Sequence, residues 1–352
     1  SPRPLLVGLL AALLSAPAVA KPLVFATPAE KAFVDALLAK MTVEEKLGQL
    51  NQPPGVGNNT GPAAMAGNED QIRRGEIGSY LGTQGAALTC RLQKIAVEES
   101  RLGIPLLFGY DVIHGHRTVF PVPLAESSSF DPEEVQHAAR VAAVEAAAHG
   151  IHWTYAPMVD IARDPRWGRI VEGAGEDPYL GSVLAAARVR GFQGDDLRKP
   201  DAVLATAKHF VAYGAAEAGR DYNVADISER TLHEVYLPPF KAAIDAGAQS
   251  IMASFNEIAG VPMHAHRPLI QDLLRGQWGW DGLLVSDYTG VLELVEHGVA
   301  ADRVAAGDLS GQISVQSTPG QGSTFTVLLP IAGLEPLKQP GVYLAVMRQA
   351  GT

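Results

Sequence analysis

Apolar runs in this chain repeatedly stop at a polar cluster. Leu106-Leu107-Phe108-Gly109-Tyr110 ends at Asp111, and Val203-Leu204-Ala205-Thr206-Ala207 ends at Lys208-His209. Ile251-Met252-Ala253-Ser254-Phe255 ends at Asn256-Glu257, and Leu283-Leu284-Val285-Ser286 ends at Asp287-Tyr288. A run without polar alternation offers no face to water, so it reads as a strand covered on both sides, the condition of a parallel sheet. In parallel α/β barrels the chemistry sits at the carboxyl ends of such strands. These endings therefore predict carboxylates and cations delivered to one mouth.

Helical segments fall between the runs. The stretch Ala29 to Leu50 reads as helix, with Thr42 and Glu45 in capping-box spacing. Helices are also expected over 85–100, from Asp131-Pro132 to Gly150, and over 181–192, 229–246, 268–275 and from Thr289 onward. A strand is expected at 77–81, and another from Ile151 to Val159, ending at Asp160. Strand–helix alternation of this kind predicts an α/β fold with a (β/α)8 TIM-type barrel over 21–307. An open doubly wound sheet is the competing arrangement, but it would gather ligand contacts at one switch point rather than after almost every strand.

The barrel reading stops near Gly307, leaving the last barrel strand incomplete. Residues 308–352 read as an unrelated tail with a β-hairpin at 313–329, alternating on either side of Thr318-Pro319-Gly320-Gln321-Gly322.

Composition narrows the partners. The chain has 352 residues with 38 acidic and 28 basic side chains, a net charge of −10. Nucleic-acid backbones and anionic membranes need a basic face, so neither is expected as a partner. Arg3, the apolar stretch Leu5 to Leu14 and the small residues Ala18-Val19-Ala20 have the order of a secretory signal peptide over 1–20, which predicts a periplasmic or secreted protein. Cys90 is the only cysteine, so no internal disulfide is expected. The ten histidines show no ligand spacing such as His-Glu-x-x-His, and Gly173-Ala174-Gly175 leads into Glu176-Asp177, which would oppose a pyrophosphate. Neither metal nor cofactor is expected.

Four motif blocks carry the chemistry. Asp111 opens Asp111-Val112-Ile113-His114-Gly115-His116-Arg117, and an ionised carboxylate there suits accepting hydrogen bonds from two hydroxyls of a polyol. Arg163-Asp164-Pro165-Arg166-Trp167-Gly168-Arg169 precedes Glu172-Gly173-Ala174-Gly175-Glu176-Asp177-Pro178; Arg169 could be a donor fork and Trp167 an apolar face for a sugar ring. Lys208-His209 ends a buried strand, where a lysine is costly unless paired or working. Asp287 follows the same logic. A single strand-end Asp is as often structural as catalytic, so the weight lies in the set.

Taken together, Asp111 to Asp131, Arg163 to Leu180, Lys208-His209 through Gly219-Arg220-Asp221-Tyr222-Asn223, and Ser286-Asp287 closely resemble glycoside hydrolase family 3, of the periplasmic β-glucosidase type. The resemblance spans about residues 29–300 and implies a retaining glycosidase acting on a small oligosaccharide or β-glucoside. It implies Asp287 as the nucleophile, with Asp111, Arg169, Lys208 and His209 gripping the sugar hydroxyls and Tyr222 and Met252 as nearby walls. Ala174 stands where the family usually carries an aromatic. In such β-glucosidases the acid/base Glu comes from a second domain that this sequence does not contain. The loop after Lys208-His209 also lacks the Pro-Gly-His and Asp-x-His of the β-N-acetylglucosaminidases, which work without that domain. The expectation is hydrolysis impaired by the missing acid/base; the alternative is a non-catalytic carbohydrate-binding remnant. The tail around 311–330 resembles the last hairpin of histidine-kinase ATP-binding domains, without their nucleotide-holding motifs.

Overall fold

The structure is a computed structural model that describes residues 28–55, 69–303 and 305–306, together with the backbone of three short strands at 316–318, 322–329 and 343–347. The expected signal peptide lies outside the described residues.

The first helical stretch divides into Pro28–Leu38 and Val43–Leu50. The division falls at Thr42, whose hydroxyl accepts the Glu45 N–H at 3.2 Å while the Glu45 carboxylate accepts the Thr42 N–H at 2.9 Å. This reciprocal cap satisfies donors of a new helix, so the chain restarts there. Strand β1 (Ser79–Leu81) follows, then helix Ala86–Lys94, β2 (Leu107–Tyr110), helix Pro132–Ala148, β3 (Trp153–Thr154), helix Pro178–Gln193 and β4 (Leu204–Phe210). Helix Pro238–Asp245 leads to β5 (Ser250–Ala253); a small ribbon of β6 (Glu257–Ile258) and β7 (Val261–Pro262) precedes the helical segment Pro268–Gln277, β8 (Leu283–Ser286) and helix Gly290–Glu296.

The expected strand Ile151–Val159 is much shorter in the structure. Pro157 has no N–H to give a ladder, and the regular strand ends at Thr154, beyond which the Thr206 N–H donates to Ala156 O at 2.9 Å and a single bridge joins Met158 to Lys208. The expected helix 229–246 is likewise segmented, because Pro238 and Pro239 interrupt the run of amide donors.

Six strands form one parallel sheet in the order β1-β2-β3-β4-β5-β8. Strands that pair in sequence order through right-handed crossovers put every helix on the same face, and the sheet curls into a barrel wall. This is the incomplete barrel that the sequence predicts. Alternation decides which side chains fill the inside. Leu107, Trp153, Tyr155, Leu204 and Met252 pack together there, while Ala205, Ala207, Ile251 and Ala253 join the layer beneath the helices. A polar rung crosses the inside: Trp153 Nε1 donates to Thr206 Oγ1 at 2.6 Å, and Thr206 donates to Ser250 Oγ at 3.1 Å. Outside, helix Pro178–Gln193 lies between Pro132–Ala148 and Pro238–Asp245. Gly191 permits that approach, since a Cβ there would sit 2.5 Å from Ala139 Cβ.

Strand β8 forms one end of the sheet, and its Leu283, Leu284 and Val285 are only half-buried, whereas every residue of β4 is buried. Ala305 and Ala306, just before the point near Gly307 where the barrel reading stops, are helical. In the tail, Gln316–Thr318 pairs antiparallel with Gly322–Leu329, and Tyr343–Met347 adds to the other edge of the latter. No helix among the described residues is long and apolar enough to cross a membrane.

Candidate active site

The strand ends meet at one mouth. β4 supplies two consecutive side chains to it, which a regular strand would send to opposite faces. Its register against β5 shifts between Lys208 and Phe210. That irregularity re-aims the chain, as bulges beside active sites do. Lys208 Nζ bonds Asp111 Oδ1 at 2.6 Å, joining the ends of β4 and β2. His209 turns the other way around the same mouth, with Nε2 3.6 Å from Asp287 Oδ2 just past β8.

Burial is uneven across this pair of contacts. The Lys208 side chain is 5% exposed and its Asp111 partner 45%, so the cation is fixed from below while the carboxylate faces the opening. Asp287 is mostly enclosed, and the loss of water raises its pKa to about 6. The Tyr288 N–H, bonded to Asp287 Oδ1 at 2.7 Å, and the charges of Lys208 and Arg169 pull it down, while Asp111 pushes it up. Above that value Asp287 is an anion beside two cations, a suitable nucleophile.

Arg169 reaches the site from the loop after β3. Its guanidinium makes a two-pronged contact with Glu172, at 2.7 and 3.0 Å, and stands 5.4 Å over the Tyr213 ring. Tyr213 in turn lies edge-on to His209, with ring centres 5.0 Å apart. Tyr222 stands exposed at the rim with a left-handed φ of 62° and packs on Phe255 at 4.8 Å. Met252 lies deeper, 8% exposed, in the cluster that fills the barrel beneath the mouth. Trp167 corrects the expectation of an open apolar face. It is fully buried and donates its Nε1–H to Asp221 at 2.9 Å, so it braces the loop from behind.

Asp160 joins the site beyond the residues expected from the sequence, and it ends an apolar run as the others do. Its Oδ2 accepts the His209 backbone N–H at 2.9 Å and lies 2.8 Å from His209 Nδ1. Glu172 and Tyr213 also join the site through Arg169. Glu172 sits in the quoted Arg169 motif, but nothing in the sequence ties Tyr213 to Arg169.

A mostly enclosed carboxylate beside Lys, His and Arg, with a second carboxylate open to the mouth, is an arrangement able to hold a hydroxyl-rich ligand. Residues 42–311 match the family described as "Glycosyl hydrolase family 3 N terminal domain". The chain belongs to glycosyl hydrolase family 3. Within this family it is 43% identical over 300 residues to the periplasmic β-glucosidase of Salmonella typhimurium, covering 84% of this chain and 39% of that protein. It is 40% identical over 225 residues to a β-xylosidase of Formosa agariphila, covering 60% of this chain and 31% of that protein. The crystal structure of a β-glucosidase from Listeria innocua in complex with isofagomine superposes with a TM-score of 0.76 at 43% identity, covering 80% of this chain and 40% of that one. This family 3 chain thus spans about two-fifths of the length of those β-glucosidases. Residues 314–352 match a second family, described as "Bacterial alpha-2 macroglobulin MG2 domain".

Proposed function

We propose that this chain binds a terminal β-D-glucosyl residue and carries the nucleophile for its retaining hydrolysis. One observation carries the reading: Asp287 stands past β8 with His209, Lys208 and Asp111 around the same opening. Asp111 would accept from two sugar hydroxyls, Lys208 and Arg169 would donate, and Tyr222 would wall the rim. Met252 would support the floor. Asp287 would attack the anomeric carbon and form a glycosyl-enzyme, which water then hydrolyses with retention.

Retention also needs an acid about 5–5.5 Å from the nucleophile. The neighbouring carboxylates have other partners: Asp111 is held by Lys208, Asp160 by His209, Glu172 by Arg169 and Asp221 by Trp167. We assign the acid/base to a group outside the described residues. Without it, leaving groups that need a proton should depart about 10²–10⁴-fold more slowly. The 43% identical relatives named β-glucosidase support a glucosyl substrate, and the Salmonella protein's name supports a periplasmic or secreted location.

Dinitrophenyl β-glucoside tests the assignment, because its leaving group departs as an anion. The purified chain should release a burst of dinitrophenolate close to one equivalent and then slow, while cellobiose is barely hydrolysed. Fast cellobiose turnover would show that the 352-residue chain itself supplies an acid/base. A folded sample that binds glucose but gives no burst would contradict Asp287 as nucleophile.

A further inference from the structure

Asp160 is 3% exposed and His209 1% exposed, so no bulk water competes for the bonds between them. We propose that Asp160 is a positioning residue that holds His209 in the Nδ1–H tautomer, so that Nε2 meets the sugar as a hydrogen-bond acceptor. The proposal rests on reading this mouth as a sugar site and adds which way one hydrogen bond must run.

Asp160 Oδ2 accepts the His209 backbone N–H at 2.9 Å, so this oxygen presents lone pairs towards His209. His209 Nδ1 lies 2.8 Å from the same oxygen and must therefore be the donor. One carboxylate oxygen thereby fixes both the main chain and the ring, which sets the ring's direction as well as its tautomer. Burial, with the positive charges of Arg169 and Lys208, pushes the His209 pKa well below its usual value, so the ring is neutral. Nε2 is then a bare lone pair.

That lone pair faces Asp287 Oδ2 at 3.6 Å, beyond hydrogen-bond range. Two acceptors opposite each other repel, and a hydroxyl between them relieves the repulsion by donating. Lys208 and Arg169 can only donate. His209 therefore adds a demand that those two cannot impose: the sugar group beside it must carry a hydrogen to give.

The other Asp160 oxygen, Oδ1, is buried without a hydrogen-bond partner among the described residues. Burial raises the Asp160 pKa to about 7, against the His209 N–H and the charges of Arg169 and Lys208, with Glu172 pushing it further up. A proton taken up there belongs on Oδ1, which leaves Oδ2 accepting both bonds from His209. The tautomer therefore holds on both sides of that titration.

The test reads the His209 ring directly, by long-range proton–nitrogen correlation spectra of the full 352-residue chain labelled with ¹⁵N and free of sugar. At pH 7 the expected result is a protonated Nδ1 and an unprotonated Nε2. Asp160→Asn, whose amide oxygen can take both bonds, should keep that tautomer. Asp160→Leu should release it towards Nε2–H and weaken glucose binding by about tenfold or more, the loss of one hydrogen bond in a buried site. Glucose analogues with a single hydroxyl replaced by fluorine extend the test, since fluorine cannot donate. One position should be penalised in the wild type and much less in Asp160→Leu. A wild-type Nε2–H or doubly protonated ring would overturn the proposal, as would an unchanged tautomer in Asp160→Leu. If no form binds glucose, the sugar reading fails, and the spectra still decide the tautomer.

Discussion

The polar groups at the mouth differ in depth and pairing. Lys208 is buried beneath a more open Asp111, His209 is buried on a buried Asp160, and Asp287 has cations near it but no direct ion-pair hydrogen bond. Asp287 is consequently a carboxylate whose burial costs stability. Its pKa in the folded protein is about 6, above the ~3.9 of an unfolded chain, so folding binds the proton more tightly. The contribution of this group is then fully favourable below the unfolded value and is lost as pH rises through the folded one. Asp287→Asn, which keeps the shape and removes the charge, should be more stable than the wild type by about 1–3 kcal/mol at pH 8. The gain should fade towards pH 4. Denaturant midpoints at both pH values check this, and equal stability at pH 8 would contradict the burial cost assigned to Asp287.

At the scale of elements, the strands depend on an inner rung as well as on apolar packing. Thr206 Oγ1 accepts from Trp153 and donates to Ser250, tying β3, β4 and β5 together inside the barrel. Thr206→Val preserves the shape but leaves a buried indole N–H and a hydroxyl unpaired, at a cost of about 1–3 kcal/mol. A urea titration showing no loss would mean that those groups find other partners. The strands were legible in the sequence because their apolar runs are continuous, and the Thr42–Glu45 cap was legible from its spacing. Less visible was how the runs end. Pro157 cuts β3 short, although the residue itself announces the break. The irregularity at Lys208–Phe210, which lets neighbouring side chains share one mouth, has no marker in composition or period. Trp167 looked like a sugar platform because an aromatic beside Arg169 suits one. Its buried indole N–H instead donates to the Asp221 carboxylate.

Across the whole molecule, stability should be graded from the centre of the sheet to its end. β4 lies between β3 and β5 with every residue buried, whereas β8 ends the sheet with its apolar residues half-covered. Amide hydrogen exchange should be slowest in Leu204–Ala207 and markedly faster in Leu283–Val285, because local opening exposes less at an edge. Equal protection in the two strands would show that something covers β8. The sequential order of the barrel wall followed from strand–helix alternation, and its incompleteness from the change of idiom near Gly307. The tail was less legible. Residues 331–352 have no clear period, yet Tyr343–Met347 pairs as a strand with Gly322–Leu329.

The central claim is that Asp287 is the atom donor to a glycosyl-enzyme, and a trapped intermediate tests it most directly. A 2-deoxy-2-fluoro-β-glucoside with a dinitrophenyl leaving group should glucosylate the chain and then turn over slowly, since the fluorine slows both steps. Peptide mass mapping of the trapped protein should place one fluoroglucosyl group on the peptide containing Asp287, and Asp287→Asn should carry none. A label on another carboxylate, or an equal label on the Asp287→Asn protein, would contradict the account.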